Sequence, residues 1–220
     1  MKRIIKISLI LLLVGMAVIA AVPFFKEKRA ERKYENEFKK IQESVTEKKS
    51  DVNGLVKKNK DCIGYVEIPG TTISYPVMQT KDKPDFYLNH DFNRNYSFYG
   101  TPYLSAYCDV NKSDNLIIYG HNINGGKMFG ALEKYKDKEF FNKDRKFAVM
   151  SVNIHEFEYW KFIMAKDEKE YDEFVDKVEE HSPWRQENKP KYGEQMLMLS
   201  TCDNGKGDDW RIVVIGVMQQ

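Results

Sequence analysis

The sequence has few of the residues that build disulfide frameworks, flexible linkers or polyelectrolyte arms. Its 220 residues include three cysteines and no C-x-x-C pair, so neither a disulfide-stapled fold nor a structural zinc site is encoded. Thirteen glycines and seven prolines, with no repeat or low-complexity tract, exclude a collagen-like or disordered chain. The formal net charge of +2 excludes a strongly basic surface. We therefore predict no cofactor, no metal and no nucleic-acid partner.

Hydrophobic residues are plentiful, and part of them is concentrated near the N-terminus. Residues 7–25 carry no charge, and a run of that length can span a bilayer. It predicts that residues 1–25 form a cytoplasmic tip and an uncleaved transmembrane signal anchor. A buried core helix and a cleaved signal peptide are the alternatives. More basic residues follow the run than precede it, so a simple positive-inside count would keep the following domain in the cytoplasm, although large domains can translocate despite such flanks.

The rest of the chain predicts a helical stalk followed by a strand-rich domain. Ala30, Tyr34, Phe38 and Ile41 recur at helical spacing, which favours an amphipathic helix within residues 26–58. Residues 59–220 instead contain short β-rich runs separated by turn residues. About seven such runs predict a mainly β domain, most economically a closed or nearly closed barrel. One further helix is predicted between Asp167 and His181.

Reactive side chains follow two of the predicted strands directly. The apolar run 116–119 leads into Gly120 and His121, and the run 196–199 leads into Ser200, Thr201 and Cys202. Arg211 opens the next strand nine residues after Cys202, so a hairpin would return it to the side of Cys202. The sequence therefore predicts that His121, Cys202 and Arg211 converge.

Each of these three residue types has a separate chemical capacity. A thiolate is a nucleophile, a nearby imidazole can take or return a proton, and a guanidinium offers fixed donors to a developing oxyanion. Taken singly, the histidine would be a turn residue and the cysteine a core residue. The remaining cysteines and histidines lie in contexts that favour structural roles: Cys62, Cys108, His90, His155 and His181.

These residues lie within longer strings that resemble the sortases, cysteine transpeptidases of the Gram-positive cell surface. The resemblance covers residues 63–217. It is carried by GYVEIPGT at 64–71, YGHN at 119–122, LSTC at 199–202 and RIVV at 211–214. YLNHDF at 87–92 and KMFGAL at 127–132 are similar to the class B branch in particular.

The resemblance implies an eight-stranded β-barrel with an N-terminal helix and a helix before the strand that carries the cysteine. It implies a catalytic His121, Cys202 and Arg211, with Ser200 and Thr201 as substrate-binding residues. The implied reaction cleaves a C-terminal sorting signal of the LPxTG or NPxTN type after threonine, through a thioacyl-enzyme. The acyl group then passes to an amine.

The implied partners are surface proteins that bear sorting signals, an amine acceptor on a peptidoglycan precursor or a pilin, and membrane lipid around the N-terminal helix. The implied location is a single-pass cell-membrane protein with an extracytoplasmic catalytic domain. Two alternatives stay open at this point. One is a membrane-anchored hydrolytic cysteine peptidase with the same site, and the other is a non-enzymatic adhesion or scaffold barrel.

Overall fold

The computed structural model describes residues 2–47, 52–143, 147–185 and 189–218. The chain divides into two compact units, residues 1–47 and 48–220. The domain boundaries predicted at residues 25 and 58 stay predictions from the sequence.

The first unit consists of one helix, α1 (Lys2–Glu47), with Pro23 inside it. Tyr34, Phe38 and Ile41 are buried, and the rings of Tyr34 and Phe38 lie 5.0 Å apart, as helical spacing predicts. None of the helices in the described ranges combines the length and the hydropathy that crossing a bilayer requires.

The expected membrane span over residues 7–25 is therefore not supported. Its residues 7–11 and 13 have side chains outside the described part of the chain. The helix also does not stop where the apolar run stops, because α1 continues without a break into the charged stretch up to Glu47.

The second unit contains ten strands and three α-helices among its described residues. The strands are β1 (Cys62–Glu67), β2 (Ser74–Met78), β3 (Tyr103–Leu104), β4 (Asn115–Tyr119), β5 (Asn122–Ile123), β6 (Lys127–Met128), β7 (Ala148–Asn153), β8 (Trp184–Arg185), β9 (Met196–Cys202) and β10 (Trp210–Val217). The helices are α2 (Val52–Lys58), α3 (Lys138–Asn142) and α4 (Glu168–His181). Short 3₁₀ segments cover Phe86–Asn89, Asn124–Gly126, Gly130–Lys136 and Tyr159–Lys161.

Eight of the strands form one sheet in the order β1-β2-β3-β4-β9-β10-β7-β8. The pairs β2–β3 and β4–β9 are parallel and the others antiparallel. The strand number agrees with the expected eight, but no ladder in the described residues joins β1 to β8. The prediction of a closed barrel is corrected to an open eight-stranded sheet, because the two-residue strand β8 pairs only with β7 at this end.

The centre of the sheet is formed by β4, β9 and β10, whose apolar side chains are buried. Ile117, Met198 and Val213 are each completely buried, one on each of these strands. Such continuous burial favours the near-unbroken apolar runs seen in their sequences. The three central strands are therefore rigid supports for whatever follows them in the chain.

The helix predicted between Asp167 and His181 is confirmed as α4. The Asp167 side chain accepts a hydrogen bond from the Glu170 amide at 2.9 Å and caps its first turn. One face of the helix packs into the core through buried residues at helical spacing, namely Tyr171, Phe174, Val175 and Val178. The helix thus lies within the chain segment that leads from β7 to β9, and it packs against β7.

Candidate active site

The nucleophile candidate and the arginine are directly opposed on neighbouring strands. Cys202 is the last residue of β9, and Arg211 is its partner in the antiparallel register with β10. Opposed residues project to the same face with Cβ atoms about 5 Å apart. Cys202 is half-buried and its thiol is free. The predicted hairpin is thus confirmed, and it places Arg211 on the same face of the sheet as a partly accessible thiol.

His121 follows the strand on the other side of β9. β4 runs parallel to β9, with Tyr119 opposite Ser200. Beyond the end of this ladder two side chains continue the connection. The Thr201 hydroxyl donates to the Gly120 carbonyl at 2.7 Å, and Asn122 Nδ2 donates to the Cys202 carbonyl at 2.8 Å. The three predicted residues therefore lie on adjacent chain segments, at one end of the three central strands.

A glycine before the histidine permits this close arrangement. A Cβ atom on Gly120 would lie 2.8 Å from the ring of Phe129, closer than side-chain carbons approach one another. Phe129 is completely buried and its amide donates to the His121 carbonyl at 2.9 Å. Any larger residue at position 120 would push this ring, and with it the backbone of His121, out of place.

The imidazole of His121 has a defined orientation. Its Nε2 lies 2.9 Å from the Leu88 carbonyl oxygen. Because a carbonyl can only accept, Nε2 carries the hydrogen and Nδ1 of the neutral ring is the proton acceptor. Burial lowers the pKa of His121 below its usual 6.5, while the hydrogen bond to Leu88 opposes that shift. The ring is therefore neutral at neutral pH, which suits a proton acceptor.

The segment that supplies the Leu88 carbonyl is itself held by a glycine. Gly100 has φ +60°, and a Cβ there would clash with the carbonyl oxygens of both Leu88 and Tyr87. The adjacent Thr101 amide donates to the Tyr87 carbonyl at 2.9 Å. Phe98, 65% exposed, lies parallel to the His121 ring with centroids 6.3 Å apart. Residues 87–101 thus form one wall of the site.

Arg211 is oriented by the turn that joins β9 to β10. Its Nη1 donates to the Asp208 carbonyl at 2.5 Å and to the Trp210 carbonyl at 2.9 Å. Two tyrosines, Tyr119 and Tyr159, lie within electrostatic range of its charge. Burial raises the pKa of both phenols, and the Arg211 charge opposes the rise. The phenols stay protonated, so Arg211 faces neutral donors here.

The two residues expected to bind substrate lie below the surface. Ser200 is 1% and Thr201 2% exposed. The Ser200 hydroxyl is 2.7 Å from the Tyr159 hydroxyl, and the Thr201 hydroxyl is bound to Gly120. In this structure both hydroxyls therefore contribute to the packing of the site. Their role in binding substrate stays a prediction, as do the catalytic roles of His121, Cys202 and Arg211.

Sequence reasoning missed three contributors to the site. Leu88 acts through its carbonyl, which no side-chain pattern reveals. Tyr159 lies in a 3₁₀ turn 41 positions before its partner Ser200, and nothing in the spacing links them. Asn122 could have been found from the sequence. It directly follows a candidate catalytic histidine, so its amide can reach the residues around that histidine.

The other cysteines and histidines are structural in their contacts. Cys62 and Cys108 are 2% and 1% exposed, and burial raises the pKa of both thiols. His90 stacks on Phe86 with centroids 3.8 Å apart. His155 and His181 line a cavity of about 590 Å³ between the segment after β7 and α4. Cys202 is therefore the one cysteine of the three that is not buried.

Comparison with known proteins adds independent findings. Residues 66–219 match the Sortase domain family. The sortase B of Staphylococcus aureus is 26% identical over 237 residues, covering 98% of this chain and 96% of that protein. The sortase B of Listeria monocytogenes is 30% identical over 185 residues, 77% of this chain and 74% of that protein. The crystal structure of Clostridium perfringens sortase B superposes with a TM-score of 0.70 at 26% identity, covering 76% of this chain and 99% of that one.

The fold, the Cys–Arg hairpin and these matches define a cysteine transpeptidase, and the chain belongs to the sortase family. Within that family it is a class B sortase. The interpretation as a non-enzymatic adhesion or scaffold barrel is therefore not retained.

The environment of His121 predicts an unusual titration. We expect its ring protons to titrate in NMR spectra of the full-length protein with a midpoint below 6.5, because burial disfavours the charged ring. ¹⁵N chemical shifts should show the neutral ring protonated at Nε2. A midpoint above 6.5 would contradict the dominance of burial over the hydrogen bond, and a neutral ring protonated at Nδ1 would contradict the hydrogen bond to the Leu88 carbonyl.

Proposed function

We propose that this sortase cleaves a C-terminal sorting signal after threonine and transfers the acyl group to an amine, with Cys202 as nucleophile. The observation that carries the proposal is the opposed pair of Cys202 and Arg211 beside the segment that bears His121. Thiol, imidazole and guanidinium are the groups that a thioester route requires.

In the first half-reaction, His121 accepts the Cys202 proton at Nδ1 and the thiolate attacks the threonine carbonyl carbon. The Arg211 guanidinium donates hydrogen bonds to the oxyanion that develops on that carbonyl. The C–N bond then breaks, and the imidazolium returns its proton to the leaving amine. The products are a thioester on Cys202 and a peptide with a free amino group.

In the second half-reaction, His121 accepts a proton from the incoming amine as its nitrogen attacks the thioester carbon. The C–S bond breaks and the proton passes to the Cys202 sulfur, which restores the enzyme. Water competes for the same thioester. An amine is the better nucleophile towards a thioester, and its orientation in the site adds effective molarity.

The substrates in this proposal are surface proteins that carry a sorting signal of the LPxTG or NPxTN type. The acceptor is an amine of a peptidoglycan precursor or of a pilin. The family resemblance and the class B relatives support this choice.

Removal of the nucleophile should abolish turnover and spare the fold. For Cys202→Ala we expect no cleavage of either peptide type and an unchanged melting temperature, because a half-buried sulfur at a strand end contributes little packing. Cys62→Ala and Cys108→Ala are the matched controls, and both should retain activity. Turnover by Cys202→Ala, or equal loss of activity in all three variants without loss of stability, would refute the assignment.

The fate of the thioester separates a transpeptidase from a hydrolytic peptidase. Full-length protein should cleave an LPxTG or NPxTN peptide slowly, and added glycine-type or diaminopimelate-type amine should convert the product from free acid to amide. The measurement is the acid-to-amide ratio by mass spectrometry against amine concentration. An unchanged acid fraction at saturating amine, across several amine types, would favour the hydrolytic peptidase.

We also propose that the unit containing Cys202 acts outside the cytoplasmic membrane, where these substrates and acceptors occur. A membrane-impermeant thiol reagent applied to intact cells should label Cys202, and Cys202→Ala should remove the label because Cys62 and Cys108 are buried. Labelling that requires cell lysis, with a reagent shown to cross the wall, would reverse this topology.

A further inference from the structure

A buried carboxylate directly follows the proposed nucleophile. Asp203 is completely buried, and its side chain accepts hydrogen bonds from Lys136 Nζ at 2.7 Å and Ser151 Oγ at 2.6 Å. Burial alone would raise the pKa of Asp203, but the hydrogen bonds from Lys136 and Ser151 lower it below its usual value. The carboxylate is thus charged, and both of its oxygens already accept hydrogen bonds. It is not available as an acid or base for the reaction.

The lysine that binds Asp203 has a second carboxylate partner. Lys136 Nζ lies 2.7 Å from Glu133 Oε2, one turn earlier in the same 3₁₀ segment. Burial would lower the pKa of Lys136, yet the two carboxylates raise it, so its charge is also maintained. Lys136 therefore connects the 3₁₀ segment to the residue after Cys202.

The chain of contacts continues to Cys202 itself. The other oxygen of Glu133, Oε1, accepts a hydrogen bond from Asn122 Nδ2 at 2.8 Å. The same Nδ2 group donates to the Cys202 carbonyl at 2.8 Å. Asn122 is the residue after His121. We call this set, Asn122, Glu133, Lys136 and Asp203, the Lys136 bridge.

The Lys136 bridge lies beyond the end of the backbone ladder between β4 and β9. The paired region of β4 and β9 ends at Tyr119 and Ser200, before either His121 or Cys202 is reached. One end of the bridge holds the Cys202 carbonyl, and the other end holds the side chain of the next residue. Both contacts lie directly after the Cys202 Cα in the chain, and together they connect this part of the backbone to the residue that follows His121.

We propose that the Lys136 bridge positions Cys202 relative to His121, with Lys136 as its central positioning residue. The proposal rests on Cys202 being the nucleophile. Without the bridge, thiol and imidazole would still be present but less often aligned, so the chemical step would slow while peptide binding would not change.

The test compares Lys136→Met with Lys189→Met in full-length protein. Lys189 is also bound by two carboxylates, those of Asp176 and Glu179. Both belong to α4 and not to the Lys136 bridge, so Lys189 is the matched control. We expect Lys136→Met to lower kcat for peptide cleavage by about tenfold to a hundredfold with KM unchanged, and Lys189→Met to leave both constants unchanged. Equal kcat in the two variants would overturn the proposal.

A double variant separates positioning from stability. Lys136→Met alone leaves the Asp203 carboxylate buried without its cation, so the melting temperature should fall. Adding Asp203→Asn removes that charge and should restore the melting temperature, while kcat stays low because the bridge is still broken. Recovery of kcat together with the melting temperature would show that the bridge acts through stability only.

Two further measurements keep the proposal testable in every case. If Lys136→Met does not fold, Asn122→Ala breaks the bridge without removing a charge, and it should lower kcat similarly. A wild-type kcat in that variant would overturn the proposal.

If wild-type protein cleaves neither peptide, the proposed function fails, and the bridge is tested by iodoacetamide alkylation of Cys202. Alkylation should be severalfold slower in Lys136→Met than in Lys189→Met, because a misaligned imidazole removes the thiol proton less often and the thiolate is the reactive form. Equal rates would contradict the bridge.

Discussion

The backbone ladder between β9 and β10 places Cys202 and Arg211 opposite each other, and the other features of the site depend on it. The ladder pairs seven residues, from Arg211 with Cys202 to Val217 with Met196. A slip of one residue would turn Arg211 to the opposite face from Cys202, because side chains alternate along a strand. The buried apolar residues of both strands oppose such a slip. Core packing thus fixes the geometry of the reactive groups.

Most polar side chains around this ladder are either neutral or paired with an opposite charge. His121 is neutral because of burial, and the neighbouring phenols are protonated for the same reason. Asp203 is charged but neutralised by Lys136. Arg211 is therefore the cation placed to meet charge that develops on a substrate carbonyl. An uncompensated charge elsewhere in the site would weaken the attraction between Arg211 and that developing charge.

Much of this arrangement could be predicted from the sequence, because strands and hairpins depend on patterns among residues that are close in the chain. The runs 116–119 and 196–199 are apolar because both strands are buried, and a nine-residue separation between Cys202 and Arg211 is short enough for a hairpin. Contacts between distant residues were not predictable in this way. The contact to the Leu88 carbonyl and the Lys136–Asp203 pair depend on tertiary packing. So does the open sheet, in which no ladder among the described residues joins β1 to β8.

The central claim is that the register of β9 and β10 places a planar guanidinium, and not merely a positive charge, beside the nucleophile. It is tested most directly by kcat/KM of Arg211→Lys for peptide cleavage, with Arg185→Lys, a surface arginine bound to the Glu179 carbonyl, as control. Lysine keeps the charge but cannot reproduce the fixed fork of donors. The account predicts a fall of about a hundredfold or more for Arg211→Lys and none for Arg185→Lys. A near wild-type kcat/KM for Arg211→Lys would contradict it.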